Sequence, residues 1–182
     1  MRASLDREFF AGDTLAVARR LLGCTLAFDG CEGTIVETEG YKTDAASHFA
    51  TRRIKGRPLA ETFGQVYIYL NYGMYYLLNF TTERRGVGAV LIRAVEPTRG
   101  MEKMKERRGT GDLRCLTSGP GKLCVAFGIT GAQNGEDVGK TIRLYPRKRV
   151  PAIGTSTRIG IRRAADLPWR FFVQDNPFVS RP

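Results

Sequence analysis

The first clear pattern of apolar and polar residues lies near the start of the chain. Asp13 can cap a helix through its carboxylate, and Gly23 can adopt the left-handed conformation that ends many helices. Between them, apolar residues recur at helical spacing at Leu15, Ala18, Leu21 and Leu22. The pattern therefore predicts an amphipathic helix over 14–22.

Alternating apolar and polar residues follow, with glycines between several of the segments. This period of two is typical of strands. It predicts a curved, mainly antiparallel sheet in the middle of the chain and one further strand near its end. The segments are Thr25–Phe28, Thr34–Thr38, Val66–Asn71, Tyr75–Thr81, Ala89–Val95 and Trp169–Val173.

Prolines indicate two more helices, because proline is favoured in the first turn of a helix. One is expected to open at Pro97, with Met101 and Met104 on one side, and the other to run from Pro120 to near Gly128. No repeat or linker divides these elements. The predicted fold class is therefore α+β, a single domain over residues 1–182 in which helices pack on the sheet.

Composition indicates a polyanionic partner, of which nucleic acid is the commonest. The 182 residues are 42% hydrophobic, as in an ordinary globular protein, and carry 29 basic against 18 acidic side chains, a net charge of +11. Five of the seven tyrosines lie within Tyr67–Tyr76, where rings could stack on bases or wedge between them. The basic residues lie in short groups, which either flank one groove together or are separate solvated faces. The groups are Arg52, Arg53, Lys55 and Arg57; Arg84 and Arg85; Lys103, Lys105, Arg107 and Arg108; Arg147, Lys148 and Arg149; Arg162 and Arg163.

Cysteine and histidine usage argues against a metal site. The four cysteines show no Cys-x-x-Cys spacing, and the single histidine, His48, cannot complete a common zinc cluster with them. No signal peptide opens the chain, and no apolar run approaches the roughly 18 residues of a membrane span. We expect a cytoplasmic protein with reduced thiols and no membrane association.

Two glutamates on one predicted strand are candidates for catalysis. In segment 35–41 the period of two places Glu37 and Glu39 on the same face, and Gly40 ends or bends the strand. A carboxylate pair can supply a general acid or base. The alternative is that both lie on a solvated edge strand. A mechanism based on histidine and a nucleophile would have to use His48, beside which no nucleophile is identifiable, so carboxylate chemistry is favoured.

A glycine-rich turn is another candidate site. Ser118-Gly-Pro-Gly-Lys-Leu123 places backbone N–H groups and Lys122 at a predicted helix start, where a phosphate oxygen can bind. The Walker A pattern is absent, so nucleotide hydrolysis gains no support. The turn is either a contact for a DNA phosphate or an ordinary helix opening.

Seven motifs, in order along the chain from about residue 14 to residue 180, together resemble the alkyladenine (3-methyladenine) DNA glycosylase family. Single motifs are weak, but seven in the family's order make a chance match very improbable. They are Leu21-Leu-Gly23, Ile35-Val-Glu-Thr-Glu-Gly-Tyr41, Asp44-Ala-Ala-Ser-His48, Tyr67-Ile-Tyr-Leu-Asn-Tyr-Gly73, Leu91-Ile-Arg-Ala-Val-Glu-Pro97, Ser118-Gly-Pro-Gly-Lys-Leu123 and Trp169-Arg-Phe-Phe-Val173.

The resemblance implies that the protein excises damaged purines from double-stranded DNA as part of base excision repair. It would flip the purine out of the duplex and hydrolyse the N-glycosidic bond, leaving an abasic site. The substrates implied are 3-methyladenine and 7-methylguanine, together with hypoxanthine and ethenoadenine as harder, neutral leaving groups. We expect a monofunctional, monomeric enzyme that needs no metal or organic cofactor and acts on the nucleoid DNA of a bacterial-type cytoplasm.

The resemblance also assigns roles to residues that bind the damaged base. Tyr41, His48 and Tyr69 match the residues that line the family's base pocket. Asn79 matches the residue at the base edge, where a guanine amino group would be crowded. Tyr72 matches the wedge at the tip of a protruding, tyrosine-bearing β-hairpin, which fills the gap left in the duplex.

For catalysis, the resemblance selects one of the two glutamates. Glu39 matches the residue that holds and deprotonates the attacking water, whereas Glu37 is expected to be structural. Arg93 matches the residue that positions this water and a nearby phosphate, and the backbone carbonyl of Ile159 matches the third water contact. Lys122 is expected to contact a DNA phosphate.

The match fails between His48 and Phe63. The family usually has Thr-x-Arg-Asn followed by Met-Phe, whereas segment 51–59 has neither that asparagine nor that Met-Phe pair, and the turn before His48 is shorter. Arg52 and Arg53 are expected to contact DNA phosphates here. Our hypothesis is that four basic residues replace shaped contacts with general phosphate attraction: Arg52, Arg53, Lys55 and Arg57.

Two alternatives remain open from the sequence. A non-catalytic nucleic-acid-binding module would keep the basic loops and tyrosines but would not need Glu39 or Arg93. A nucleoside or glycoside hydrolase would use Glu37 and Glu39 as a carboxylate pair, would be largely insensitive to salt and would not need Tyr72.

Overall fold

The computed structural model describes residues 3–181, which form an antiparallel sheet with helices packed against it. The fold is therefore α+β, as predicted. The strands are β1 Thr25–Phe28, β2 Cys31–Tyr41, β3 Val66–Asn71, β4 Tyr75–Thr81, β5 Ala89–Arg99, β6 Arg143–Tyr145, β7 Ile153–Ser156 and β8 Arg170–Val173.

Strand β2 is the centre of the sheet. The strand order is β3-β4-β5-β2-β1-β6, with β8 also paired to β2 and β7 paired to β8. β2 pairs with β5 along almost its whole length, while its other edge is shared between β1 and β8. Register shifts on either side of Glu37 mark irregularities of the kind that bend a strand. Strand β2 is therefore an interior strand of the sheet rather than an edge strand.

The helices are mostly short. They are α1 Thr14–Leu21, α2 His48–Thr51, α3 Arg53–Gly56, α4 Pro58–Glu61, α5 Met101–Arg108, α6 Leu113–Leu116 and α7 Pro120–Phe127, and a 3₁₀ turn covers Arg7–Phe10. The first helix is confirmed, since the Asp13 carboxylate accepts the N–H groups of Leu15 and Ala16, and Gly23 has a φ of +84°. The last predicted helix is also confirmed, and Gly128 ends it with a φ of +75°.

The prediction that a helix opens at Pro97 is wrong. Pro97 lies within β5, opposite Gly33 of β2, and the helix begins four residues later at Met101. The register shifts beside Gly33, and such an irregularity tolerates a residue that lacks a backbone donor. Gly100, with a φ of +76°, makes the turn from strand to helix.

The hydrophobic core lies between the sheet and α1, α5 and α7. Val17 and Leu21 of α1, Met104 of α5 and Phe127 of α7 are all fully buried. These helices pack against β2, β4 and β5 or against one another. Since β2, β4 and β5 also supply most of the candidate site, the core fixes the strands on which that site is built.

Three further observations concern the described part of the chain. No helix in residues 3–181 is long and apolar enough to cross a membrane. Within the same residues, no cluster of histidine, cysteine and acidic side chains is arranged to hold a metal ion. The four cysteines form no disulfide within this part of the chain, and Cys115 is exposed while the other three are buried.

Candidate active site

A cavity of about 430 Å³ opens beside the β3–β4 hairpin, where strands β2 to β5 meet the first residues of α2 and α7. Both aromatic and polar side chains line it. The lining includes seven residues predicted for the site or its rim, namely Tyr41, His48, Tyr69, Tyr72, Asn79, Arg93 and Ile159. The structure thus brings together residues that are up to 118 positions apart in the sequence.

Glu37 and Glu39 lie in the interior of the sheet. Both side chains are fully buried, and Glu39 is paired with Leu91 of β5 on one side and with Arg170 of β8 on the other. The alternative of a solvated edge strand is therefore wrong. Its basis was the local sequence alone, which does not reveal that β8, more than 130 residues later, covers the second edge of β2.

The carboxylate of Glu39 is held by two hydrogen bonds and one ion pair. The backbone N–H of Ile159 donates to Oε1 over 2.7 Å, the Tyr41 hydroxyl donates to Oε2 over 2.7 Å, and Arg93 Nη1 lies 3.3 Å from Oε1. Glu39 does not itself border the cavity, but all three of these neighbours do. The carboxylate therefore lies directly behind the cavity wall, with its orientation fixed.

Glu37 is held by a different set of partners, of which Arg93 also pairs with the carboxylate of Glu39. Arg170 Nε donates to its Oε1 over 2.7 Å and Arg93 Nε over 3.2 Å, while the Ser180 N–H and hydroxyl donate over 2.7 and 2.9 Å. We call the four side chains Glu37, Glu39, Arg93 and Arg170 the ionic floor. Two carboxylates and two guanidinium groups balance there, and Arg93 joins them by contacting both glutamates.

Sequence reasoning missed Arg170 and Ser180. The usable signal was that Arg170 is the one charged residue in the predicted strand Trp169–Val173, whose other residues are apolar or aromatic. Nothing in the sequence indicates that Ser180 returns to cap Glu37.

Arg158 is a further residue that the sequence reasoning missed. Its buried guanidinium donates to the Gly40 carbonyl over 3.0 Å and pairs with Asp44 over 2.7 Å. It also lies 4.7 Å from the centre of the Tyr41 ring and 5.0 Å from that of Trp169. Tyr41 is therefore supported from behind by a fixed cation.

The aromatic wall of the cavity is formed by Tyr41, His48 and Tyr69. The His48 and Tyr69 rings lie 4.2 Å apart between centroids. Burial raises the pKa of both Tyr41 and Tyr69 well above the ordinary value, and the Glu39 carboxylate contributes to each shift. Both hydroxyls therefore remain protonated throughout the neutral range.

His48 is held in one tautomer by its neighbours. The Tyr67 hydroxyl donates to the Lys55 carbonyl over 2.9 Å and lies 2.7 Å from His48 Nδ1. Because that hydroxyl has a single proton, Nδ1 is assigned as the donor and Nε2 as the acceptor. Burial, together with the charges of Arg52 and Lys55, lowers the pKa of His48 to about 4. The imidazole is therefore neutral at neutral pH.

Asn79 lies on β4 at the back of the cavity and is almost fully buried. Its amide nitrogen donates to the Tyr67 and Leu77 carbonyls over 3.2 and 3.3 Å. Both amide N–H groups are thus directed at the main chain, which fixes the orientation of the side chain within the pocket.

The predicted hairpin is confirmed, and Tyr72 is at its tip. Tyr72 is 83% exposed and has a φ of +51°, followed by Gly73 at +69°, and the Met74 N–H donates to the Asn71 carbonyl over 3.0 Å. A left-handed conformation is unfavourable for a tyrosine and is seen mostly where function or packing demands it. The turn holds an aromatic side chain out from the protein beside the cavity mouth.

Helix α7 begins at the cavity, with Pro120 and Gly121 in its lining. A Cβ on Gly121 would lie 2.9 Å from the Tyr75 side chain, so glycine allows the helix to approach the base of the hairpin. Lys122 follows in the first turn, where the partial positive charge of the helix N-terminus adds to its own.

The segment between His48 and Phe63, where the match to the family fails, folds into α2, α3 and α4. Gly56 packs so closely on His48 that a Cβ there would lie 2.4 Å from the His48 carbonyl oxygen. The segment is thus part of the pocket, yet four of its cations are exposed. We call them the basic rim: Arg52, Arg53, Lys55 and Arg57.

The sequence was compared with known proteins. The family model for methylpurine-DNA glycosylase (MPG) matches residues 8–177. Three relatives bear the name "Putative 3-methyladenine DNA glycosylase". Those of Rhizobium etli and Rhodopseudomonas palustris are 47% and 43% identical, covering 97% and 98% of this chain and 88% of each relative. That of Chlorobaculum parvum is 44% identical over 97% of this chain and 90% of its own.

Proposed function

The chain belongs to the methylpurine-DNA glycosylase family, and from this premise we propose that it removes alkylated purines from double-stranded DNA. Members of this family are hydrolases of N-glycosyl bonds in DNA and serve the repair of alkylation damage. For this protein we propose 3-methyladenine and 7-methylguanine as substrates, with hypoxanthine and ethenoadenine as slower ones. We also propose that residues 1–182 form one glycosylase domain that acts as a monomer on cytoplasmic DNA.

The observation that carries the proposal is the environment of Glu39. A fully buried carboxylate, held by two hydrogen bonds and an ion pair with Arg93, lies directly behind a cavity lined with aromatic rings. In our proposal Glu39 takes a proton from a water whose oxygen bonds to C1′ of the sugar, while the bond from C1′ to the purine nitrogen breaks and its electron pair leaves with the base. Arg93 and the Ile159 carbonyl help to place that water.

Glu37 is proposed to be structural, for a geometric reason. It is fully buried, and of its donors Arg93, Arg170 and Ser180 only Arg93 lines the cavity, whereas all three groups that hold Glu39 line it. A two-carboxylate glycosidase needs both carboxyl groups beside the scissile bond. This arrangement therefore favours one water-activating base over a carboxylate pair.

The pocket is proposed to hold the extruded base by stacking. Tyr41, His48 and Tyr69 present rings to the cavity, and electron-poor alkylated purines stack well on such faces. Neutral His48 would accept a hydrogen bond at the base edge. Asn79, with its orientation fixed by the main chain, would crowd a guanine amino group.

The rim of the cavity is proposed to bind and open the duplex. Tyr72, exposed at the hairpin tip, would fill the space left by the extruded nucleotide and offset an unstacking cost of a few kcal/mol. Lys122, Arg52 and Arg53 would contact phosphates. The net charge of +11 supports DNA as the partner.

Single-turnover excision tests this function. Duplexes containing one 3-methyladenine or one hypoxanthine are incubated with excess protein, and alkali-labile sites and released base are measured for the unmodified protein and for Glu39→Gln. We expect excision by the unmodified protein and a loss of at least about 10²-fold in the variant, with DNA binding retained. Binding without excision of either lesion by the unmodified protein would indicate a non-catalytic nucleic-acid-binding module.

A second readout distinguishes a monofunctional glycosylase from a lyase. A lyase needs an amine nucleophile, for which Lys122 would be the nearest candidate, and borohydride would then trap protein on DNA. We expect no trapped complex.

A further inference from the structure

We propose that Tyr41 is a positioning residue for Glu39, in addition to forming a wall of the base pocket. The inference rests on the function proposed above. In it, the ring of Tyr41 contacts the base, while its hydroxyl holds one carboxylate oxygen of Glu39 and thereby sets the direction of that carboxylate.

The first support is the place of the hydroxyl between the cavity and the carboxylate. Tyr41 lines the cavity, Glu39 does not, and the Tyr41 hydroxyl donates to Glu39 Oε2 over 2.7 Å. Oε1 is held by Ile159 and Arg93. Tyr41 is therefore the donor to the second oxygen, and without it only one end of the carboxylate would be held.

The second support is the local backbone. Glu39 and Tyr41 are two residues apart on β2, so their side chains leave the same face of the strand. Gly40 lies between them on the opposite face, where a Cβ would lie 2.6 Å from the Leu15 side chain. The close packing of α1 on this glycine fixes the strand from which both side chains project.

The third support is the fixed position of the ring. Arg158, paired with Asp44, lies 4.7 Å from the Tyr41 ring centre and also donates to the Gly40 carbonyl. Arg158 precedes Ile159, whose N–H holds the other oxygen of Glu39. One buried cation therefore fixes both the tyrosine and the segment that contact the carboxylate.

The direction of the hydrogen bond follows from the electrostatics. Burial and the Glu39 carboxylate raise the pKa of Tyr41 well above its ordinary value, so the phenol keeps its proton and donates it in the hydrogen bond to Glu39. Donation stabilises the charged carboxylate. Among the other charged and titratable groups, Arg93 on β5 pairs with Glu39 directly and Tyr69 on β3 interacts with its charge. The remaining groups act through neighbours: Glu37 on β2 and Arg170 on β8 belong to the same ion-pair network, Arg158 contacts Tyr41, and His48 on α2 contacts Tyr69.

The test compares Tyr41→Phe with Tyr69→Phe, each of which keeps an aromatic ring in the pocket. Single-turnover excision of 7-methylguanine is measured across pH, because this cationic base leaves without protonation and the acid side of the profile then reports the base catalyst. Tyr69 has no hydrogen bond to Glu39 within the described residues. Unfolding midpoints and affinity for lesion-containing duplex are measured for both variants.

For Tyr41→Phe we expect the half-maximal pH on the acid side to rise by about one unit and the plateau rate to fall about tenfold, since a hydrogen bond to a charged group is being removed. Tyr69→Phe should leave that half-maximal pH in place, whatever its effect on rate. In a Glu39→Gln background, Tyr41→Phe should cause little further loss, because its hydroxyl acts through the missing carboxylate.

Two results would overturn the inference while leaving the proposed function intact. One is excision by the unmodified protein with the same acid limb in Tyr41→Phe. The other is a full tenfold loss from Tyr41→Phe in the Glu39→Gln background, which would assign the effect to stacking. No excision by the unmodified protein would reject both the proposed function and the inference that rests on it.

Discussion

Arginines occur in two contrasting settings around the cavity. In the ionic floor, the Arg93 and Arg170 side chains are 9% and 5% exposed and both bind carboxylates. In the basic rim, Arg52 and Arg53 are exposed, and Arg57 forms an exposed pair with Glu61 one helical turn away. Buried ions are expensive to leave unpaired, whereas exposed cations are screened by salt and free to meet phosphates. From this contrast we propose that the floor fixes the catalytic groups and that the rim attracts DNA.

The strongest way to break this contrast is to remove charge from the floor. Glu37→Gln would leave Arg93 and Arg170 with one buried carboxylate between them, and breaking such a buried pair typically costs about 3–5 kcal/mol. We expect a loss of this size in the free energy of unfolding, measured by chemical denaturation, and slower excision because Arg93 is no longer held.

Glu32→Gln is the matched control for that prediction. Glu32 pairs with Arg99 over 3.5 Å, but the Arg99 side chain is 74% exposed. Exposed pairs contribute about 0–1 kcal/mol. Equal losses from the two substitutions would contradict the distinction between floor and surface.

At the hairpin tip, Tyr72→Ala should act on catalysis and hardly on folding. The side chain is 83% exposed, so its removal should change the free energy of unfolding by no more than about 0.5 kcal/mol. Loss of a wedge that offsets a few kcal/mol of unstacking should lower single-turnover excision from duplex DNA by about 10- to 100-fold. Tyr72→Phe keeps the wedge and should retain most of the activity. A wild-type rate in Tyr72→Ala would show that excision does not depend on a wedge at this position.

The smallest effect on the rate itself is expected from the basic rim. Replacing Arg52, Arg53, Lys55 and Arg57 with glutamine should weaken binding to duplex DNA. It should also reduce the slope of log K against log salt by up to about 0.9 for each phosphate that is no longer neutralised. The excision rate at saturating protein should hardly change.

Lys103 and Lys105 offer a comparison for the rim, because they are already paired with Asp29 and Glu102. Replacing both with glutamine should change the salt slope less, per charge removed, than the rim substitutions. An unchanged slope in the rim variant would reject the hypothesis that these cations provide general phosphate attraction.

The distance along the chain over which each contact acts explains what could be predicted from sequence. Local patterns were sufficient for α1, for strands β3 and β4 and for α7, because the cap at Asp13, the alternation along each strand and Pro120 act within a few residues of the elements they define. The Tyr72 tip of the hairpin was implied by the resemblance to a family. Pro97 misled the prediction, since its place in a strand depends on pairing with β2. Only the resemblance to a family indicated from sequence that Glu39, Tyr41 and Arg93 share one site.

The ionic floor could not be predicted in full, because it is assembled by long-range pairing. Arg170 reaches Glu37 across 133 positions and Ser180 across 143. The burial of Glu37 and Glu39 depends on β8 covering β2, which no local pattern near the glutamates indicates. Arg158 likewise acts through contacts with Asp44 and Tyr41 that lie more than 110 positions away.

The most direct test of the division between floor and rim is one measurement on one substrate. Excision of 7-methylguanine from duplex DNA is followed under single-turnover conditions over a range of protein concentrations for the unmodified protein, Glu39→Gln and the four-residue rim variant. We predict that Glu39→Gln binds at wild-type concentrations but reaches a maximal rate at least about 10²-fold lower. The rim variant should need more protein yet reach the wild-type maximum. A wild-type maximal rate for Glu39→Gln would contradict the assignment of Glu39 as the water-activating base.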